Sequence, residues 1–168
     1  MNRVFPIFVL VASAVVLGAA LLSQYWGGLL PCELCLKERW PWTAAIVVGF
    51  VVVTTGGGPV TARVALLLAA IFVIGSGLAF YHVGVEQHWF PGPTSCTAAG
   101  TAPATIDELR TQLLHQQPVR CDEPAWTLFG VSMAGWNLLA SLVMAGVSLA
   151  VLRRVRPHRR GRIRGEAL

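Results

Sequence analysis

Residues 64–85 read VALLLAAIFVIGSGLAFYHVGV, 22 consecutive positions without an Asp, Glu, Lys or Arg. At about 1.5 Å of rise per residue such a run crosses the ~30 Å hydrocarbon core of a bilayer. Three further windows share the property, residues 4–32, 40–62 and 124–152. Charged residues make up 12% of the 168 positions and apolar ones 55%, whereas a soluble domain carries about 25% charged residues. That balance excludes a water-soluble globule. In hydrocarbon every backbone N–H and C=O needs an internal partner, so spanning segments are helices or closed barrels, and the short alternating segments of barrel strands are missing. The expected fold is an all-α integral membrane protein, a four-transmembrane-helix bundle forming one membrane domain over residues 1–168, with spans at about 4–24, 36–56, 64–83 and 130–152.

Orientation follows from the basic residues. Seven of the thirteen Lys and Arg lie in the tail 153–168, which the positive-inside rule places in the cytoplasm. Four spans bring Arg3 to the same side, together with the Gly56-Gly57-Gly58-Pro59 turn and Arg63. Lys37, Arg39, Arg110 and Arg120 then lie outside, with every acid except Glu166. The apolar run after Met1-Asn2-Arg3 exceeds the 7–15 residues or so of a signal-peptide core, so it is read as a retained span. The Arg-rich tail is read as a topology and lipid-headgroup signal, with no nucleic acid as partner. The outer face holds two loops, about 25–35 and 84–129. In the second, Thr105-x-x-Glu108 has the capping-box pattern, and Ile106, Leu109, Leu113 and Leu114 share a face, predicting a short amphipathic helix over 106–116.

All four cysteines, Cys32, Cys35, Cys96 and Cys121, fall in these outer loops. Confinement to the face of an oxidising compartment points to disulfide chemistry. Of the three possible pairings, local geometry favours Cys32–Cys35 and leaves Cys96–Cys121. Structural zinc sites usually use two close cysteine pairs; only one exists here, so no metal site is expected. An inert staple is the stronger rival, yet a Cys-x-x-Cys loop closes little chain entropy and suits a reversible switch better. Pro31 fits the first position of a helix, which puts both cysteines in its first turn, where the dipole and unpaired amides favour a thiolate. Cys32, Cys35 and Arg39 stand at i, i+3 and i+7 on one face, bringing a fixed positive charge near Cys35. Without a haem, nucleotide or iron–sulfur motif to accept electrons, a lipid-soluble quinone is the economical acceptor. Trp26, Trp40, Trp42 and Trp89 lie near the outer boundary, where its ring could stack.

The segment Cys32-Glu33-Leu34-Cys35-Leu36-Lys37-Glu38-Arg39 resembles the Cys-x-x-Cys-x-x-x-Arg segment of the DsbB family of bacterial inner-membrane disulfide-generating proteins. The likeness extends to residues 89–96 (WFPGPTSC), to Cys121 and to residues 126–137 (WTLFGVSMAGWN). It implies a quinone-dependent thiol:disulfide oxidoreductase that reoxidises a periplasmic DsbA-like thioredoxin-fold protein and passes electrons to ubiquinone or menaquinone. By the same resemblance Cys96 forms the mixed disulfide with the partner, Cys121 exchanges with Cys32, and Cys35 meets the quinone beside Arg39. Some family members carry a His near the quinone; counting back from Pro91 that position is Gly84, and His82 is the candidate substitute, with Glu86 and His88 nearby. Asn137, alone among apolar neighbours, is read as a hydrogen bond between helices. The competing functions are a membrane metal- or haem-binding chaperone and a structural protein stapled by inert disulfides.

Overall fold

The computed structural model describes residues 4–55, 60–93, 105–107, 110 and 120–155. Its long helices are α1 (Val4–Tyr25), α2 (Glu33–Thr54), α3 (Ala62–Glu86) and α4 (Met133–Val155), and a hairpin of β1 (Thr127–Leu128) and β2 (Val131–Ser132) precedes α4. Helices α1, α3 and α4 are long and apolar enough to cross a membrane. Helix α2 has 22 residues as well, and its first turns carry Glu33, Lys37, Glu38 and Arg39, with Lys37 and Glu33 paired at 2.6 Å.

Packing follows chain order, α1 on α2, α2 on α3, and α3 most extensively on α4. Val9, Ala45, Ala65, Leu68 and Phe72 are fully buried where these helices meet, and the Trp42 ring stands edge-on to Phe72 with centroids 5.4 Å apart. Small residues let the backbones approach. A Cβ on Gly49 would lie 3.2 Å from Leu10 and from the Pro6 carbonyl, and one on Gly75 would lie 3.1 Å from Pro41. Val15, Val47, Ile74 and Val143 point outward, each more than half exposed, as expected of helices whose outer faces meet lipid.

The residues just before α4 differ from the expected continuous span. Phe129 (φ 53°) and Gly130 (φ 79°) both take left-handed backbone, the combination of a two-residue hairpin turn whose twist suits antiparallel strands. Thr127 pairs with Ser132 and Leu128 with Val131. Helix α4 then starts at Met133, its first turn capped by Ser132 Oγ, which accepts the Gly135 N–H at 3.1 Å. The expected helix over 106–116 is described only at 106, 107 and 110, each helical. Its remainder, the 56–59 turn, Cys96 and the tail from 156 onward lie outside the described residues.

The long outer loop leaves α3 through an aromatic anchor. Phe90 stacks on Tyr81 with centroids 6.0 Å apart and meets Phe80 edge-on at 6.1 Å, while Tyr81 Oη donates to the Pro91 carbonyl at 2.8 Å. This anchor requires a glycine beneath it, because a Cβ on Gly84 would overlap the Phe90 ring. Gly84→Ala should therefore displace Phe90 and lower stability by about 1–3 kcal/mol, the usual cost of overpacking. Thermal unfolding of the detergent-solubilised variant measures this; an unchanged midpoint would show that the ring moves aside freely.

Candidate active site

Helix α2 begins at Glu33, and Cys32 is its N-cap, in extended conformation (φ −73°, ψ 170°). This corrects the expectation that Pro31 opens the helix with both cysteines inside its first turn. Pro31 precedes the cap, and Cys32 Sγ takes the role a Ser or Asp side chain usually fills, accepting the Cys35 N–H at 3.1 Å. The same helical turn brings the two sulfurs to 2.7 Å. Cys32 is buried and Cys35 partly exposed. Cys121, by contrast, is disulfide-bonded and fully buried. It packs in one small cluster with Cys32, Leu34 and Val85, flanked by Cys35 and Tyr81. Beside it Arg120 grips Asp122 through Nε at 3.0 Å and Nη2 at 2.6 Å, which holds that carboxyl below the usual carboxylate range.

Helix α3 supplies the third group. His82, 3% exposed, places Nε2 3.6 Å from Cys32 Sγ, and its Nδ1 lies 2.7 Å from Glu38 Oε1 on α2. An ionised carboxylate only accepts, so Nδ1 carries a proton toward Glu38 while Nε2 faces the sulfur. Glu38 Oε2 accepts from Asn137 Nδ2 on α4 at 2.5 Å, and Asn137 Oδ1 accepts from Trp42 Nε1 at 2.7 Å. The chain Cys32, His82, Glu38, Asn137, Trp42 thus ties three helices together through buried polar groups. A second acid, Glu86, accepts from Ser132 Oγ at 2.5 Å, joining the end of α3 to the start of α4.

The structure brings Cys32, Cys35 and His82 together, with Cys121 in the same cluster. Arg39 Nη1 donates to Gln24 Oε1 on α1 at 2.7 Å, and the basic side chain facing the cysteine pair is His82. Trp42 leaves the expected set of boundary tryptophans, being 3% exposed in the core, whereas Trp26, Trp40 and Trp89 are 87%, 73% and 62% exposed. Asn137 makes the interhelical hydrogen bond read from its isolation. Glu38 is the residue that sequence reasoning missed. The signal available was an acid on the turn after Cys35, in a helix that otherwise runs into apolar residues.

The two thiols differ in acidity. The hydrogen bond between the two sulfurs pulls the Cys32 thiol below its ordinary value, against the opposing effect of burial, and the same hydrogen bond pushes Cys35 well above it. A lowered thiol pKa keeps the thiolate populated as pH falls below the ordinary value of about 8.5, and the thiolate disappears only through the lowered one. In the reduced protein the first thiolate to form on raising pH should therefore belong to Cys32. Ultraviolet thiolate absorption, wild type minus Cys32→Ser, should show a transition below that of a free thiol. A transition at or above the ordinary value would refute the assignment.

Comparison with known proteins gives a consistent family. The family model described as disulfide bond formation protein DsbB matches residues 2–151. Disulfide bond formation protein B of Actinobacillus pleuropneumoniae serotype 5b (strain L20) is 29% identical over 150 residues, 84% of this chain and 83% of that protein. Disulfide bond formation protein B of Stutzerimonas stutzeri (strain A1501) is 29% identical over 150 residues, 82% of this chain and 86% of that one. Disulfide bond formation protein B 2 of Pseudomonas syringae pv. syringae (strain B728a) is 31% identical over 137 residues, covering 77% and 75%. No solved structure matches significantly.

Proposed function

Because the chain belongs to the DsbB family of disulfide bond formation proteins, we propose that it is a quinone-dependent thiol:disulfide oxidoreductase that reoxidises a periplasmic DsbA-like thioredoxin-fold dithiol. It sits in the bacterial inner membrane with four spans, both termini cytoplasmic and all cysteines periplasmic. The observation that carries this reading is the juxtaposition of the Cys32 and Cys35 sulfurs, 2.7 Å apart, with Cys32 in one buried cluster with the disulfide-bonded Cys121. In this reading the mate of Cys121 is Cys96, which lies outside the described residues.

In this scheme a partner thiolate attacks Cys96, releasing Cys121, and the second partner thiol then resolves the mixed disulfide, so that the partner is oxidised and Cys96 and Cys121 become thiols. These two pass their electron pair to the Cys32–Cys35 disulfide by a second exchange: a Cys121 thiolate attacks Cys32 and Cys35 leaves, then Cys96 attacks Cys121, which re-forms the loop disulfide and releases Cys32 as a thiol. Thiolate attack needs access and a good leaving group, and the packing of Cys121 with Cys32 supports the second exchange. The reduced Cys32–Cys35 pair must then give up two electrons and two protons. His82 Nε2 faces Cys32 Sγ and is placed to take its proton, with the resulting charge balanced by Glu38.

A membrane quinone, ubiquinone or menaquinone, supplies the two-electron, two-proton sink when bound. The residues present fit such a ring: exposed Trp26 and Trp40 offer aromatic faces, and Arg39, held by Gln24, offers a guanidinium to a carbonyl oxygen. Reduction of quinone by the purified protein in the presence of a reduced thioredoxin-fold dithiol tests the reading directly. Optical bleaching of the quinone that tracks partner oxidation one for one is expected; partner oxidation without quinone loss would overturn the choice of acceptor.

Arg39→Ala separates the two halves of the cycle. Loss of one preorganised donor costs about tenfold to a thousandfold, and here it should slow only quinone reduction by the prereduced protein. Exchange between the loop cysteines and the partner should stay near wild type. Arg39→Lys should recover part of the loss, since an ammonium lacks the planar fork. Equal slowing of both half-reactions in pre-steady-state assays would assign Arg39 to support of the fold through Gln24.

A further inference from the structure

We propose that the reduced pair Cys32 and Cys35, together with His82, forms a binding site for one thiophilic divalent cation, Zn2+ being the natural occupant, and that the bound ion holds the protein in its dithiol state. Three observations carry this. The ligand atoms of Cys32, Cys35 and His82 all lie within 4.8 Å of one another. They comprise two sulfurs and one imidazole nitrogen, the donor set of open zinc sites with three protein ligands. The imidazole is also prepared as a ligand: Glu38 at 2.7 Å fixes the proton on Nδ1 and leaves Nε2 free to coordinate, the carboxylate–histidine arrangement that orients zinc ligands and raises their basicity.

The spacing is close to what the ion asks for. With Zn–S about 2.3 Å and Zn–N about 2.0–2.1 Å, a tetrahedral S–Zn–N edge is about 3.6 Å, and Cys32 Sγ lies 3.6 Å from His82 Nε2. The S–Zn–S edge would be about 3.8 Å by the same bond lengths, so the sulfurs must part from 2.7 Å. A change of about 1 Å is within a small rotation of the partly exposed Cys35 side chain. Binding exchanges two thiol protons for one Zn2+, giving a charge-neutral two-thiolate centre. In this buried pocket the neutral product avoids the cost of two bare thiolates. The fourth tetrahedral position remains for water.

The consequence is a redox-gated site. Closing the Cys32–Cys35 disulfide removes both sulfur ligands, so only the reduced protein binds, and the bound ion in turn blocks disulfide closure. The proposal rests on the geometry of the three residues and on reversible oxidation of the pair, and metal binding is read on the protein alone, without quinone or partner, so that its failure is distinct from failure of the electron-transfer scheme.

The test uses the full chain in detergent with the loop disulfide intact, titrated with Co2+ as the spectroscopic probe and then with Zn2+. Reduced wild type should bind one Co2+ with a sulfur-to-cobalt charge-transfer band, and Zn2+ should abolish the band by displacement. Protein whose Cys32–Cys35 pair has been oxidised should show no band. Cys35→Ser should lose most of the band, and Glu38→Gln should weaken binding by about tenfold to a hundredfold, the scale for losing an outer carboxylate partner. Zn2+-loaded reduced protein should resist oxidation of the pair until a chelator is added. Absence of a charge-transfer band in the reduced protein, or an equal band after oxidation, would overturn the proposal. X-ray absorption of the zinc-loaded wild type decides the third ligand without a substitution: two sulfurs and an imidazole nitrogen support it, and two sulfurs with oxygen alone refute it.

Discussion

Cys32→Ser should abolish quinone-linked oxidation of the partner dithiol, by at least about a thousandfold, while leaving the fold intact. Removing a sulfur that must form a bond in a covalent relay costs nearly the whole rate enhancement, since the remaining groups act only through it. In the proposed relay Cys32 is the sulfur that Cys121 must reach, and it faces His82 Nε2 at 3.6 Å. Stability should be spared because Cys32 is also the N-cap of α2, accepting the Cys35 N–H, and serine is among the best capping residues. Cys32→Ala makes the control: equally inactive, yet less stable by about 0.5–2 kcal/mol through loss of the cap. Paired activity and thermal-unfolding measurements on the two variants check both statements. Residual turnover above a thousandth of wild type in Cys32→Ser would mean that electrons bypass this sulfur.

The second large effect is on the bundle itself. Glu38→Ala should destabilise the protein by about 1–4 kcal/mol, because it strands the buried His82 Nδ1–H, at about 1–3 kcal/mol, and the half-buried Asn137 Nδ2–H, at less. The side chain is 7% exposed and bridges α2 to α3 and to α4, so its removal loosens the point where three helices meet. Glu38→Gln keeps the shape and one acceptor, and should cost less than half as much. Quinone reduction should fall in both variants, since His82 loses the partner that fixes its tautomer. Denaturant or thermal unfolding in detergent measures the stability terms. A loss under about 1 kcal/mol in Glu38→Ala would show that water enters and satisfies the stranded donors.

The linear order of residues was enough to establish the membrane class and the long helices, because exclusion of charge from about twenty consecutive positions is a property of one segment at a time. It also placed all four cysteines outside the expected spans and put Cys32 and Cys35 at the start of a helix, since capping and a three-residue spacing are local. Asn137 was legible as an interhelical hydrogen bond because a lone amide in hydrocarbon has few other uses. The partners were not legible. His82 meets a cysteine 50 positions away and an acid 44 positions away, and Asn137 reaches Glu38 across 99.

Those meetings depend on how each helix is rotated about its axis and how deeply it is set against its neighbours. Beyond its first turns α2 is apolar on all sides, so its pattern does not announce which face turns inward. Close approach decides it, as where Gly75 admits Pro41 and Gly49 admits Leu10. Docking of α2 on α1 likewise gives Arg39 its partner Gln24, 15 positions away, which spacing within α2 does not announce. Local spacing sets where a residue sits on its own helix. Only the packed bundle decides which groups it meets, and here that packing set an imidazole and a buried carboxylate beside the thiols.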